Sequence, residues 1–220
     1  MDGPKIYAEI LGFPITESMV NMWIVMGAIL IFAYLATKNM KKVPGKVQLV
    51  GEMIIDAINN LTESTMGKKN MSFAPYMLAL FLYLGVANLL GVVALRPPTA
   101  DLTMTFALSI LTFILTQAFG FKAKGFGGYL KSFAEPIPLL LPINIISELA
   151  NPISLSFRLF GNMLGGVIIM GLIYSGLSNL MFFAAGIPIF AHLYFDIFAG
   201  LLQSFIFVML SMVFISMAMD

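Results

Sequence analysis

Cysteine is absent from this chain of 220 residues, which excludes disulfides, thiolate metal sites and thiol catalysis. Histidine occurs once, as His192, so no histidine-rich metal cluster can form. Charge is scarce: Asp, Glu, Lys and Arg make up 10% of the residues, and the formal net charge is +1. No basic face can be assembled to track phosphates, and nucleic acid is therefore excluded as a partner. Neither a GxxxxGK[ST] loop nor a nucleophile elbow occurs. The glycine-rich run Lys124-Gly125-Phe126-Gly127-Gly128 fits no phosphate-cradling spacing. No cofactor is expected, and any nucleotide chemistry would belong to a partner.

The remainder is apolar. Hydrophobic residues make up 60% of the chain and the mean hydropathy is +0.95, the composition of an integral membrane protein. The N-terminus does not read as a cleavable signal, because Asp2, Glu9 and Glu17 stand against Lys5 and a basic stop-transfer segment follows the first apolar run. Three runs have the ~20 residues of one crossing, over 19–36, 76–95 and 102–121. Between the first two, Val50, Met53, Ile54, Ala57, Ile58 and Leu61 recur at helical spacing among Glu52, Asp56, Asn59 and Asn60. That pattern predicts an amphipathic helix over 47–61, lying in the interface of the bilayer.

The last two apolar segments, 143–174 and 187–219, are too long for ordinary crossings. At ~1.5 Å per residue each makes a helix of ~48 Å against a hydrocarbon core of ~30 Å. The predicted fold class is thus an all-α integral membrane protein in a single domain. It has about five membrane helices plus the interfacial helix, and the last two are long and strongly tilted as a hairpin. Pro152 is the one obvious site for a kink. Nine of the twelve basic residues fall in two regions, Lys38 to Lys69 and Lys122 to Lys131. Those loops are predicted to be cytoplasmic, with the N-terminus outside and the C-terminus in the cytoplasm.

Arg158 dominates the polar pattern. Its apolar surroundings, from about Ile137 to Tyr174, contain one other charge, Glu148. An arginine near mid-bilayer costs ~3 kcal/mol on insertion scales and ~10 or more in simulations. It keeps its proton, so the cost cannot be avoided by neutralising. A chain carrying it there needs a fixed positive charge, and the residue lies too far from the helix end to be a snorkelling side chain. Asn162 shares its helix face, and Gly161, Gly165 and Gly166 allow close approach; the spacing Gly161-x-x-x-Gly165 is equally a plain helix-packing motif.

On the last helix His192, Asp196, Ala199 and Gln203 form one stripe, suited to relaying protons or binding a cation. In the competing readings Asp196 is the ion-pair partner of Arg158, and His192 is an amphipathic residue at the outer interface. Asn144, Ser147, Glu148, Asn151 and Ser154 line the other half of the Arg158 helix. The sequence thus offers two polar zones with an arginine between them, and Asn88 and Asp101 are candidates to extend the outer zone.

The stretch Asn151-Pro152-Ile153-Ser154-Leu155-Ser156-Phe157-Arg158-Leu159-Phe160-Gly161-Asn162-Met163 closely resembles the signature of subunit a of rotary F-type ATP synthases. Gln203-Ser204-Phe205-Ile206-Phe207 resembles its second signature. Pro98-Thr99-Ala100-Asp101 and Lys124-Gly125-Phe126 also look like that family, and the resemblance covers about residues 16–219. It implies a non-catalytic stator in a bacterial-type cell membrane, partnered by the c-ring subunits, the b-subunit peripheral stalk, other synthase subunits and the lipid bilayer. It further implies that H⁺ or Na⁺ enters by one half-channel, rides on ring carboxylates and leaves by the other. The residue matching Arg158 keeps the half-channels apart, that matching Gln203 sits beside it, and that matching Asn162 lies on the outer path. One departure is visible: many relatives carry an ionisable residue nine positions after the arginine, where this chain has Val167, paired with one seven before the glutamine, here Asp196. Two other classes were weighed from the residues, a self-sufficient secondary transporter and a membrane scaffold. The first lacks an internal repeat to support it, and the second leaves Arg158 unexplained.

Overall fold

The computed structural model describes residues 6–10, 13–38, 40–93, 95–133, 137–177 and 186–219. The acid-base balance read from Asp2 and Lys5 therefore lies outside the described residues, as does residue 94 within the second predicted crossing.

A short antiparallel pair, β1 (Ile6–Ile10) and β2 (Phe13–Thr16), precedes the helices. The all-helical reading did not anticipate it, since it lies ahead of the first apolar run. Then come α1 (Glu17–Thr37), α2 (Lys46–Met66), α3 (Ala74–Leu89), α4 (Leu102–Ser132) and α5 (Leu141–Leu177). A final rod is built from α6 (Gly186–His192), a wide π-helical segment Leu193–Ala199, and α7 (Gly200–Met219). Among the described residues five helical stretches are long and apolar enough to cross a membrane: Glu17–Thr37, Lys68–Val93, Leu102–Gly125, Pro138–Leu177 and Gly186–Met219. The all-α membrane class is thus the observed one.

Local sequence explains where these elements stop. Asp101 caps α4, its Oδ1 accepting from Thr103 N at 3.0 Å, which satisfies one of the free N–H groups of the first turn. Gly125, at φ +72°, breaks α4 and turns the Gly127–Ser132 region back on itself; only glycine takes that conformation without cost. Pro152 sits inside α5, and the helix runs on through it for 37 residues.

The core is formed where α3, α5 and α7 meet. Met77, Leu84, Leu155, Leu159, Phe207, Met212 and Ile215 are all essentially buried. From α4 the inward stripe is hydroxylic: Thr105, Ser109, Thr112 and Thr116 are each at most 4% exposed. Thr105 lies 3.1 Å from Ser156 of α5, and Thr112 lies 3.3 Å from Ser211 of α7. Small hydroxylic residues let membrane helices approach closely and bond across the contact.

The same inversion governs α2. It packs on α1, α3 and α7 through Gln48, Gly51, Ile58, Thr62 and Met66, while Val50 and Met53 are exposed. The expected apolar face is therefore only partly the inward one. In a bilayer, apolar side chains are as well placed facing outward as inward, so hydropathy alone does not mark the buried side.

Candidate ion pathway

The contacts of α5 with the final rod are ordered along their lengths. Tyr174 meets His192, Gly166 lies against Phe195, Asn162 bonds Gln203, and Glu148 shares a cavity with Phe214. The two run antiparallel, and polar groups cluster at both ends of the contact and near its middle.

One cluster, in the first half of α5, centres on Glu148. Its Oε1 accepts from Gln117 Nε2 at 2.8 Å, Asn151 Nδ2 approaches Oε2 at 3.5 Å, and Tyr129 Oη donates to Gln117 Oε1 at 3.0 Å. Burial raises the Tyr129 phenol above its ordinary pKa, and the nearby Glu148 charge adds to the rise against the hydrogen bond to Gln117. A cavity of about 390 Å³ opens beside this group, lined among others by Lys124, Asn144, Ser147, Glu148 and Asn151.

The other cluster, at the far end of α5, is a chain of three side chains. Tyr174 Oη lies 2.7 Å from His192 Nε2, and His192 Nδ1 is bonded to the Asp196 carboxylate. A neutral imidazole with its proton on Nδ1 satisfies both contacts at once. These residues line a second cavity of about 360 Å³ together with Gly91, Arg96 and Val167. Gly91 leaves room for the carboxylate, because a Cβ at that position would lie 2.6 Å from Asp196 Oδ1 and push it aside. Asp196 is bonded to His192 and makes no ion pair with Arg158 among the described residues.

Between the clusters lies Arg158. It is exposed on α5, and among the described residues it makes no hydrogen bond or ion pair. By helix rise it stands ~15 Å from Glu148 and ~20 Å from Gly171 along α5. One turn further on, Asn162 Nδ2 donates to Gln203 Oε1 at 2.7 Å. Gln203 is 2% exposed, and its Nε2 has no partner among the described residues. A Cβ on Gly161 or Gly165 would meet nothing within 4 Å, so this pair packs against no other helix among the described residues.

Three predicted site residues take different positions from those the spacing suggested. Gln203 does not line the cavity that His192 and Asp196 share. The π segment uses i→i+5 bonds and an extra residue per turn, which slips the stripe out of register. Asn88 is 1% exposed, and its amide binds Gly200 O at 3.0 Å, Ser204 Oγ at 2.8 Å and Thr99 Oγ1 at 2.5 Å. It ties α3 to α7 and to the Pro98–Ala100 turn, and it lines neither polar cavity. Asp101 is the α4 cap and faces a separate space beside α1.

Sequence reasoning missed Tyr174, Gly91, Gln117, Tyr129 and the α4 hydroxyl stripe. The stripe alone left a signal, since Thr105, Ser109, Thr112 and Thr116 recur at i, i+4, i+7 and i+11.

Comparison with known proteins identifies the family. The family model described as ATP synthase A chain matches residues 19–216. ATP synthase subunit a, sodium ion specific, of Propionigenium modestum is 37% identical over 96% of this chain and 76% of its own length. Subunit a of Desulforamulus reducens is 34% identical over 96% of this chain and 82% of its length. Subunit a of Bacillus subtilis is 34% identical over 94% of each. The chain belongs to the ATP synthase subunit a family: it is a multi-pass, ion-translocating membrane subunit, and the catalytic chemistry of the synthase lies in other subunits.

Proposed function

We propose that the chain forms the stator wall of the rotary membrane motor and gives H⁺ or Na⁺ two offset half-channels to the ring carboxylates, separated by Arg158. The observation carrying this reading is the unpaired guanidinium of Arg158 on the open side of α5, between two polar cavities. A permanent charge in a membrane helix pairs with another group or faces a water-filled cavity. No ion-pair partner is offered within the described chain, so the guanidinium is free to meet a carboxylate carried past on a partner helix. The open glycines Gly161 and Gly165 on that side leave room for such a helix to slide.

In this reading Tyr174, His192 and Asp196 form the outer path, Asn162 and Gln203 flank the arginine, and Glu148 with Asn151 and Ser147 forms the inner path. Asn88 and Asp101 support the wall. Lys124 at the inner cavity supports a cytoplasmic side there, and with it an outside N-terminus and a cytoplasmic C-terminus. The c-ring subunits and the b-subunit stalk are the partners the assignment requires, in a bacterial-type cell membrane.

The absence of cysteine supplies a clean test. Ser147→Cys and Gly171→Cys place single thiols in the inner and outer cavities, and a side chain at Gly171 meets nothing within 4 Å. In sealed vesicles a membrane-impermeant thiol reagent is expected to block transport through Ser147→Cys from the cytoplasmic side only, and through Gly171→Cys from the opposite side only. Block of both from one side overturns the two-half-channel reading.

A further inference from the structure

We propose that Gln117 and Tyr129 are positioning residues for the inner path, holding the Glu148 carboxyl in place in both its charged and its protonated state. This inference rests on the reading of Glu148 as an inner-path group. The geometry is a three-member chain across two helices: Tyr129 Oη to Gln117 Oε1 at 3.0 Å, then Gln117 Nε2 to Glu148 Oε1 at 2.8 Å.

The fold makes a particular effort to bring Tyr129 there. Gly125 breaks α4 at φ +72°, and the returning turn lays the tyrosine ring back over the helix it has just left. Gly120 makes room, since a methyl there would run into the ring. The ring packs on Phe121 at 4.6 Å and Phe133 at 5.2 Å between centroids and is 3% exposed. The hydroxyl thus reaches an amide twelve residues earlier in the chain.

The choice of an amide and a phenol follows from hydrogen-bond chemistry. A charged carboxylate only accepts, so the Gln117 amide turns its NH₂ to Glu148 and its oxygen to the Tyr129 hydroxyl. A protonated carboxyl donates. The amide then meets it turned over, oxygen to Glu148 and NH₂ to the Tyr129 oxygen, which accepts as readily as it donates. Every group keeps a partner in either state. The other titratable group lining this cavity is Lys124; the residues α7 contributes, Phe214, Met217 and Ala218, cannot titrate. Without Gln117 and Tyr129, each change of state would leave Glu148 to find its partners in the solvent of the cavity, with nothing to fix its orientation.

The test uses the whole synthase in sealed vesicles, pumping with ATP. The readout is the H⁺ or Na⁺ concentration giving half-maximal rate on each side separately. Tyr129→Phe keeps the ring and removes only the hydroxyl; Gln117→Leu removes the bridge; Gly120→Ala displaces the ring and leaves every hydrogen-bonding atom of the chain. All three are expected to raise the half-saturating concentration on the cytoplasmic side about threefold to tenfold, the worth of one net hydrogen bond, with the opposite side unchanged. If Tyr129→Phe and Gln117→Leu match the parent, or shift both sides alike, the positioning role is overturned. If Glu148→Gln transports normally, the inner-path reading itself fails; if Glu148→Gln is impaired while Tyr129→Phe is silent, only the present inference fails.

Discussion

Gly91→Ala is a change of one methyl group, made on a helix that carries no charge of the pathway, and it should disable the outer path. The added Cβ would lie 2.6 Å from Asp196 Oδ1, 2.7 Å from its Cγ and 3.0 Å from Oδ2. Carbon atoms settle at ~3.5 Å or more, so the carboxylate must retreat by about 0.8 Å. That movement breaks its alignment with His192 Nδ1, the central link of the Tyr174–His192–Asp196 chain. A hydrogen bond to a charged group is worth ~1.5–3 kcal/mol, and each ~1.4 kcal/mol is a factor of ten in rate. ATP-driven ion pumping by assembled complexes in inverted vesicles is therefore expected to fall about tenfold to a hundredfold. In an Asp196→Ala background the same methyl has nothing to displace, so Gly91→Ala should cost little more there. Unchanged pumping in the single variant, or an equal loss in both backgrounds, refutes the reasoning.

Asp196→Asn is expected to impair transport far more than assembly, and His192→Ala to have a milder effect, both read by pumping per assembled complex. Val167 lines the same cavity as Asp196, so the double variant Asp196→Val with Val167→Glu should recover part of the transport that Asp196→Val loses; no dependence on an acid at either position refutes the relay. Asn88→Ala removes three hydrogen bonds binding α3 to α7 and to the Pro98–Ala100 turn and strands buried partners. It should therefore destabilise by about 2–4 kcal/mol and show as a lower yield and melting temperature of the complex, with transport per surviving complex little changed. The 37 residues of α5 make a helix of ~56 Å against a core of ~30 Å. Site-directed spin labels along it should report a tilt well beyond the ~20° average; an upright helix refutes the length argument.

The features legible in the sequence were those in which a residue contradicts its own neighbourhood. Arg158 and Glu148 stand out because nothing else near them is charged, and the two long segments stand out against the fixed thickness of a bilayer. What escaped notice depends on partners remote in the chain. Thr105 and Thr112 look like neutral members of an apolar run, and only Ser156 and Ser211, 51 and 99 residues away, make them the seam of the bundle. Gly91 has no side chain to announce its role, which exists only because Asp196 lies against it. The π segment Leu193–Ala199 has no compositional mark, so the stripe drawn through His192, Asp196 and Gln203 was correct for its first two members and slipped for the third. Asn88 was legible as a polar residue in a membrane helix, a candidate for the outer zone, but not as the tie that joins α3 to α7 and to the turn before α4.

The central claim is that Arg158 stands as an unneutralised charge between two ion paths, and replacing it tests that most directly. Arg158→Ala leaves no clash, because the side chain is exposed on α5, so the complex should assemble. ATP-driven pumping and ATP synthesis by that assembled complex are expected to vanish, and passive ion leak through it to rise, since the barrier between the paths is gone. Arg158→Lys should fail to pump as well, because a desolvated ammonium sheds its proton where a guanidinium does not. An assembled Arg158→Ala complex that pumps at the parental rate contradicts the account.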